Sequence, residues 1–155
     1  MSARLVFATS NAHKVEELEA ILAPAWEGFE AGCVARMSDF DVDSPVEDGV
    51  SFEENSLIKA RALARATGLA AIADDSGITV DVLGGAPGIF SARWAGSHGD
   101  DAANLRLLLE PLSDVPDRPR GAAFVLAAVL VTPDGREFVR RGAVRGPLTT
   151  SPPGE

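Results

Sequence analysis

The sequence predicts a mixed α/β protein, a partly parallel sheet flanked by helices. Two observations carry this. In the first half, short apolar runs suited to strands alternate with segments whose apolar residues recur at helical spacing. Near the end, a long apolar run is followed by Pro133-Asp134-Gly135 and a second extended run, which is the pattern of a hairpin. The chain reads as a single domain over residues 1–155. Its hydrophobic content of 46% is enough for a real core and too high for disorder.

Each element follows from its own residues. Leu5-Val-Phe-Ala8 is short, apolar and β-favouring, a buried first strand. Val15, Leu18, Ile21 and Leu22 then recur at helical spacing between Glu16, Glu17 and Glu19, and Pro24 is expected to end that helix. Residues 29–37 are expected to hold a second strand. Asp39 to Gly49 is acidic and turn-rich, a loop. Ser51-Phe-Glu-Glu54 has the form of a capping box, with Ser51 as N-cap and Glu54 at the third helical position. The helix it starts is Ala-rich and runs to about Thr67, with Gly68 as its stop. Leu69 to Ala73 is an apolar run expected to end at Asp74-Asp75, with Ser76-Gly77 as a turn and Ile78 to Leu83 as a second run.

Further along, Gly84-Gly-Ala-Pro-Gly88 is turn-forming, and Phe90 and Trp94 are read as core aromatics, with dimer contacts as the alternative. Asp100 or Asp101 caps a short helix with apolar side Ala103, Leu105, Leu108 and Leu109, ended by Pro111. Pro116 to Gly121 is a loop, Ala122 to Val131 a central strand, and Glu137 to Val144 its return partner.

Three stretches carry candidate chemistry. A strand that stops at adjacent carboxylates puts hard oxygen ligands, Asp74 and Asp75, at the mouth of a sheet, where Mg²⁺ sites are commonly built. Two acids so close are also expected to shift each other's proton affinity. Thr9-Ser-Asn-Ala-His-Lys14 lies where a strand turns into a helix. Free backbone N–H groups at that end favour phosphate, and Thr9, Ser10, Asn11 and Lys14 add donors and charge. Asn55 and Lys59 are four apart and share a helix face, so Lys59 can serve the same phosphates. Each stretch taken alone has a plainer reading: a turn capping a strand, an ordinary helix cap with Lys14 solvated, and Lys59 paired with Glu54 or Asn55 on the surface.

Composition limits the partners. A net charge of −9 argues against nonspecific binding to nucleic acid or to an anionic membrane. No apolar run is long enough to span a membrane, and the opening residues lack the pattern of a signal peptide. A single cysteine, Cys33, cannot form an intrachain disulfide, which suits a reducing compartment.

These motifs together resemble a known family. Thr9-Ser-Asn-Ala-His-Lys14 looks like the T-x-N-x-x-K opening of the inosine triphosphate pyrophosphatases. Ser51-Phe-Glu-Glu-Asn-Ser-Leu-Ile-Lys-Ala-Arg61 resembles their F-x-E-N-A-x-x-K-A helix. Ala73-Asp-Asp-Ser-Gly-Ile-Thr-Val-Asp-Val-Leu-Gly-Gly-Ala-Pro-Gly-Ile-Phe-Ser-Ala-Arg93 is close to their most specific signature. The three occur in the family's order and spacing, and the likeness covers essentially residues 4 to 154.

The resemblance implies a two-lobed α/β fold with a central cleft. It implies a cytoplasmic homodimer that uses Mg²⁺ to cleave inosine, deoxyinosine and xanthosine triphosphates to the monophosphate and pyrophosphate, keeping deaminated purines out of nucleic acid. By motif, Thr9, Asn11, Lys14 and Lys59 would hold the phosphates, with Ser10, Asn55 and Ser76 as further substrate contacts. Glu47 and Asp75 would bind the metal, with Asp74 beside them as a further metal candidate. Asp75 would be the general base for water.

Members of that family continue beyond the position of Glu155 with F-G-Y-D-P and S-H-R segments that help to hold the base. Neither occurs in these 155 residues, which contain no tyrosine. His98, in Gly96-Ser-His-Gly99, is not assigned to the role of that second segment. The expectation is a fold whose C-terminal part is absent, with the phosphate and metal half of the site present. Two alternatives stand beside the active pyrophosphatase: an inactive nucleotide- or metal-binding domain, and a related pyrophosphatase that prefers another base, such as a modified pyrimidine.

Overall fold

The computed structural model describes residues 3–96, 100–113 and 121–148. Along the chain run β1 (Leu5–Phe7), α1 (Ala12–Ala25), β2 (Val34–Arg36), α2 (Phe52–Thr67), β3 (Ala70–Val80), α3 (Asp101–Leu109), β4 (Gly121–Val131) and β5 (Glu137–Pro147). The strands form one sheet in the order β2-β1-β3-β4-β5. β1 is parallel to both its neighbours, with Val6 opposite Ala35 on one side and Ala71 on the other. Parallel neighbours need a long crossover, and the helices supply it. β4 turns directly into β5: the Gly135 N–H donates to the Thr132 carbonyl, and the Thr132 N–H to the Arg136 carbonyl. The sheet is therefore mixed and partly parallel, as the order of runs predicts.

The chain packs as two compact units, one of Met1–Asp74 with Ala128–Arg140, the other of Asp75–Ala127 with Arg141–Glu155. In the first unit, Val6, Ala35, Ala71, Ala73, Val129 and Val131 meet Ala60, Leu63 and Ala64 of α2. Ala60, Ala71 and Ala73 have no exposed surface, so α2 lies close against the strands. Phe7 and Val34 instead pack with Leu18, Leu22 and Trp26, from α1 and the residue that caps its end. Neighbouring residues of a strand face opposite ways, so α1 and α2 cover opposite faces. In the second unit, Val80, Leu108, Leu112 and Ala122 form a smaller core with Ile78, Leu83 and Trp94 around it.

Several local expectations are corrected. β3 runs unbroken through Asp74-Asp75-Ser76-Gly77, so the expected strand end and turn are absent. β1 pairs with β3 only as far as Ile72, so beyond it the β4 side of the sheet is what overrides the local turn preference. Pro24 sits inside the last turn of α1, which ends at Ala25. On α3 the buried positions are Asn104 and Leu108, while Leu105 and Leu107 are exposed. Asn104 takes a core seat because its polar atoms are matched: Oδ1 accepts from the Ala95 N–H at 2.7 Å, and Nδ2 donates to the Ala92 carbonyl at 2.9 Å. Phe90 is exposed, with the Arg93 guanidinium over its ring, so of the two aromatics only Trp94 joins a core. β5 runs three residues past its expected end at Val144. His98 and residues 116–120 lie outside the described residues.

The start of α2 departs from a reciprocal capping box. Ser51 Oγ accepts from the Glu54 N–H at 3.1 Å, as expected. The Glu54 carboxylate, however, accepts from the Val50 N–H at 2.7 Å, one residue earlier than the box requires. Gly68 closes the helix in the left-handed region, φ +71, where a side chain would be strained.

Candidate functional site

The contacts that build the candidate site, those of Lys14, Glu47, Lys59 and Asp74, lie within the first unit and grow from three places in its sequence. The first is the turn between β1 and α1. Thr9 Oγ1 accepts from the Asn11 N–H at 3.1 Å, and Asn11 Oδ1 caps α1 by accepting from the His13 N–H at 2.9 Å. Both side chains shape the turn that starts the helix, while Ser10 is exposed on it. Lys14 leaves the first turn of α1 with its ammonium 3.2 Å from each carboxylate oxygen of Asp74. It also lies 5.4 Å from the Phe7 ring centre.

The second place is the second turn of α2. Lys59 Nζ is 3.5 Å from Glu47 Oε1 and donates to the backbone carbonyl of Asp74. Neither plainer reading of the two lysines holds: Lys14 is paired, and Lys59 takes Glu47 rather than Glu54 or Asn55. Glu54 instead receives the Val50 N–H, and Asn55 Oδ1 receives the Gly49 N–H at 2.8 Å. Asn55 is 1% exposed, beneath the acidic loop rather than on the helix surface.

The third place is β3. Asp74 is where the lysines meet, its carboxylate on Lys14 and its carbonyl on Lys59. Asp75, half-buried, and Ser76, exposed, follow it on the same strand. A cavity of about 210 Å³ opens beside Glu47 and Lys59, with Ala8, Met37, Val42 and Pro45 among its walls.

Two ammonium groups and two carboxylates thus offset one another, with Lys14 and Glu47 each partly open to water. Such an arrangement can exchange partners: a polyphosphate can take the ammoniums while a cation takes the carboxylates. Among the described residues no three His, Cys, Asp or Glu side chains gather as a ready metal cage. Glu47, against Lys59, and Asp74, against Lys14, supply carboxylate oxygens, the hard ligands that a cation such as Mg²⁺ takes.

Two contributions escaped the sequence reading. The Asp74 carbonyl has no sequence signal, because every residue carries one. The contact of Gly49 with Asn55 leaves one faint sign, a glycine two residues before the N-cap Ser51.

A profile of the Ham1 family matches residues 5–155. The dITP/XTP pyrophosphatase of Streptomyces avermitilis is 58% identical over 151 residues, 97% of this chain and 74% of that protein. Its counterpart in Streptomyces coelicolor is 55% identical over the same shares. Among solved structures, the nucleoside-triphosphatase / dITP/XTP pyrophosphatase from Mycobacterium abscessus aligns with a TM-score of 0.85 at 46% identity, covering 100% of this chain and 76% of that one. A HAM1 protein from Coxiella burnetii aligns with a TM-score of 0.86 at 33% identity, covering 98% and 76%.

Proposed function

The chain belongs to the Ham1 family, and from that premise we propose that it hydrolyses the triphosphates of deaminated purines, those of deoxyinosine, inosine and xanthosine, to the monophosphate and pyrophosphate. It is a hydrolase of the nucleoside triphosphate pyrophosphatase kind. The observation that carries the reading is the convergence of Lys14 and Lys59, from two helices, on Asp74 beside Glu47.

In this reading the two lysines take the phosphates, and Thr9, Ser10 and Asn11 add donors at the start of α1. Ser76 is a further substrate contact. Glu47, Asp74 and Asp75 would hold Mg²⁺, which when bound neutralises the charge of the polyphosphate. Asp75 takes the proton of a water molecule as its oxygen bonds to the α-phosphorus. The bond from that phosphorus to the bridging oxygen breaks, and the electron pair leaves with pyrophosphate. Lys14 and Lys59 steady the charge that the leaving group gains.

The acidic surface, net charge −9, fits an enzyme of free nucleotides rather than of nucleic acid. Among the described residues no helix is long and apolar enough to cross a membrane. A homodimer in the cytoplasm completes the proposal.

Product analysis tests the chemistry. Deoxyinosine triphosphate should yield deoxyinosine monophosphate and pyrophosphate in equal amounts. Asp75→Asn should lower turnover by about 10²- to 10⁴-fold, the usual loss for a general base, while the nucleotide still binds. Release of the diphosphate and inorganic phosphate would place the cut at the wrong bond and overturn the proposal.

A further inference from the structure

We infer that Asn55 is a positioning residue: by holding the backbone of Gly49 it sets Glu47 against Lys59, and so tunes the affinity of the site for its divalent cation. This rests on the reading of Glu47 as a metal ligand.

The loop that carries Glu47 has no regular structure from Asp41 to Gly49 and little of its own to hold it. It is fastened at its end. Two successive backbone donors, Gly49 N–H and Val50 N–H, go to two successive side chains of α2, Asn55 at 2.8 Å and Glu54 at 2.7 Å. The two acceptors differ in setting. Glu54 accepts at an exposed position, where water competes for the same donor. Asn55 is 1% exposed, so its hydrogen bond forms out of water, where it is stronger than an exposed one.

The approach is also as close as a residue can make it. A Cβ on Gly49 would lie 2.7 Å from Asn55 Oδ1 and 2.7 Å from Glu54 Cβ, so one of the two segments would have to shift. Glycine at position 49 therefore belongs to the same fastening. Glu47 stands two residues before this clamp. Lys59, which its carboxylate meets at 3.5 Å, stands one helical turn after Asn55 on the same face. One helix thus fixes both the loop and the cation that the loop's carboxylate meets. Asn55 reaches the site through Glu47 rather than by touching a phosphate.

Groups that orient a metal ligand without touching the metal typically change its affinity by about 10- to 100-fold when removed. Mg²⁺ binding is to be measured by calorimetry on the full chain, saturated with an inosine triphosphate analogue carrying a methylene between the α and β phosphorus. The same variants are assayed for nucleotide KM at saturating Mg²⁺. Glu47→Gln, Asn55→Ala and Gly49→Ala are each expected to weaken Mg²⁺ binding by about tenfold. Nucleotide KM at saturating Mg²⁺ should be unchanged in Asn55→Ala and Gly49→Ala. In the Glu47→Gln/Asn55→Ala double variant the Asn55 effect should vanish, because it acts through the carboxylate already removed.

Gly49→Ala strikes the same contact from the loop side and removes no buried polar group, so the test survives if Asn55→Ala folds badly. A raised KM with Mg²⁺ affinity intact would make Asn55 a substrate contact and overturn the inference. A lowered melting temperature with Mg²⁺ affinity intact would make it purely structural and overturn it too. If Glu47→Gln itself leaves Mg²⁺ affinity unchanged, the ligand role of Glu47 fails and the inference falls with it. If Glu47→Gln weakens binding and the two clamp variants do not, the inference alone fails.

Discussion

Lys14 and Lys59 are each held by an oxygen of Asp74, and Lys59 by Glu47 as well. Phosphate binding therefore exchanges one set of partners for another, and each ammonium contributes only the difference between them. Hydrogen bonds to charged groups contribute about 1.5–3 kcal/mol net, so Lys59→Met should weaken nucleotide binding by roughly ten- to a hundredfold. Calorimetry with the uncleaved analogue measures it, and unchanged affinity would remove Lys59 from the site. Much at this scale was legible. A lysine within the first two turns of each of two helices, and acids after an apolar run, are visible as residue types at a spacing. The Asp74 carbonyl was not, because side-chain identity says nothing about a backbone acceptor. Nor was the burial of Asn55, since a polar residue beside a helix start reads as surface until the loop above it is placed.

α2 organises the first unit at the scale of elements. Its start holds the acidic loop, its second turn carries Lys59, and its middle is tied to β5 through Arg61, whose Nε and Nη2 donate to the Glu137 carboxylate at 2.6 and 2.8 Å. These hydrogen bonds from Arg61 hold the Glu137 carboxyl below its ordinary value of 4.5. A carboxyl with a lowered folded-state value adds stability above the unfolded value, and that stability is lost as pH falls through the folded one. Glu137→Gln should therefore flatten the acid limb of the stability curve below about pH 4.5 and leave its slope near neutrality unchanged. Urea unfolding at a series of pH values checks this. A wild-type acid limb in the variant would show that the pair contributes nothing, as exposed pairs often do. The extent of α2 was legible because its cap, its Ala-rich interior and Gly68 agree. The continuity of β3 was not, because Asp-Asp-Ser-Gly has the composition of a turn and only its place in the sheet decides otherwise.

For the molecule as a whole, the alternation of runs and the late hairpin were enough to read the mixed sheet. The side of α3 that faces inward was not readable, because a matched asparagine displaced leucines from the core. The core of the first unit is built on small residues, with Ala60, Ala71 and Ala73 fully enclosed. Ala60→Leu should destabilise the chain by about 1–3 kcal/mol through overpacking, read as a lower urea midpoint at unchanged slope. No loss would mean that α2 stands further from the strands than described.

The central claim concerns what the assembled site does to a nucleotide. The most direct test is pyrophosphate release by these 155 residues from deoxyinosine triphosphate, set against deoxyadenosine and deoxyguanosine triphosphates, each with Mg²⁺ and with chelator. The account predicts release that needs Mg²⁺ and favours the deoxyinosine substrate. A folded chain that releases none, or that releases it equally from all three, would contradict it.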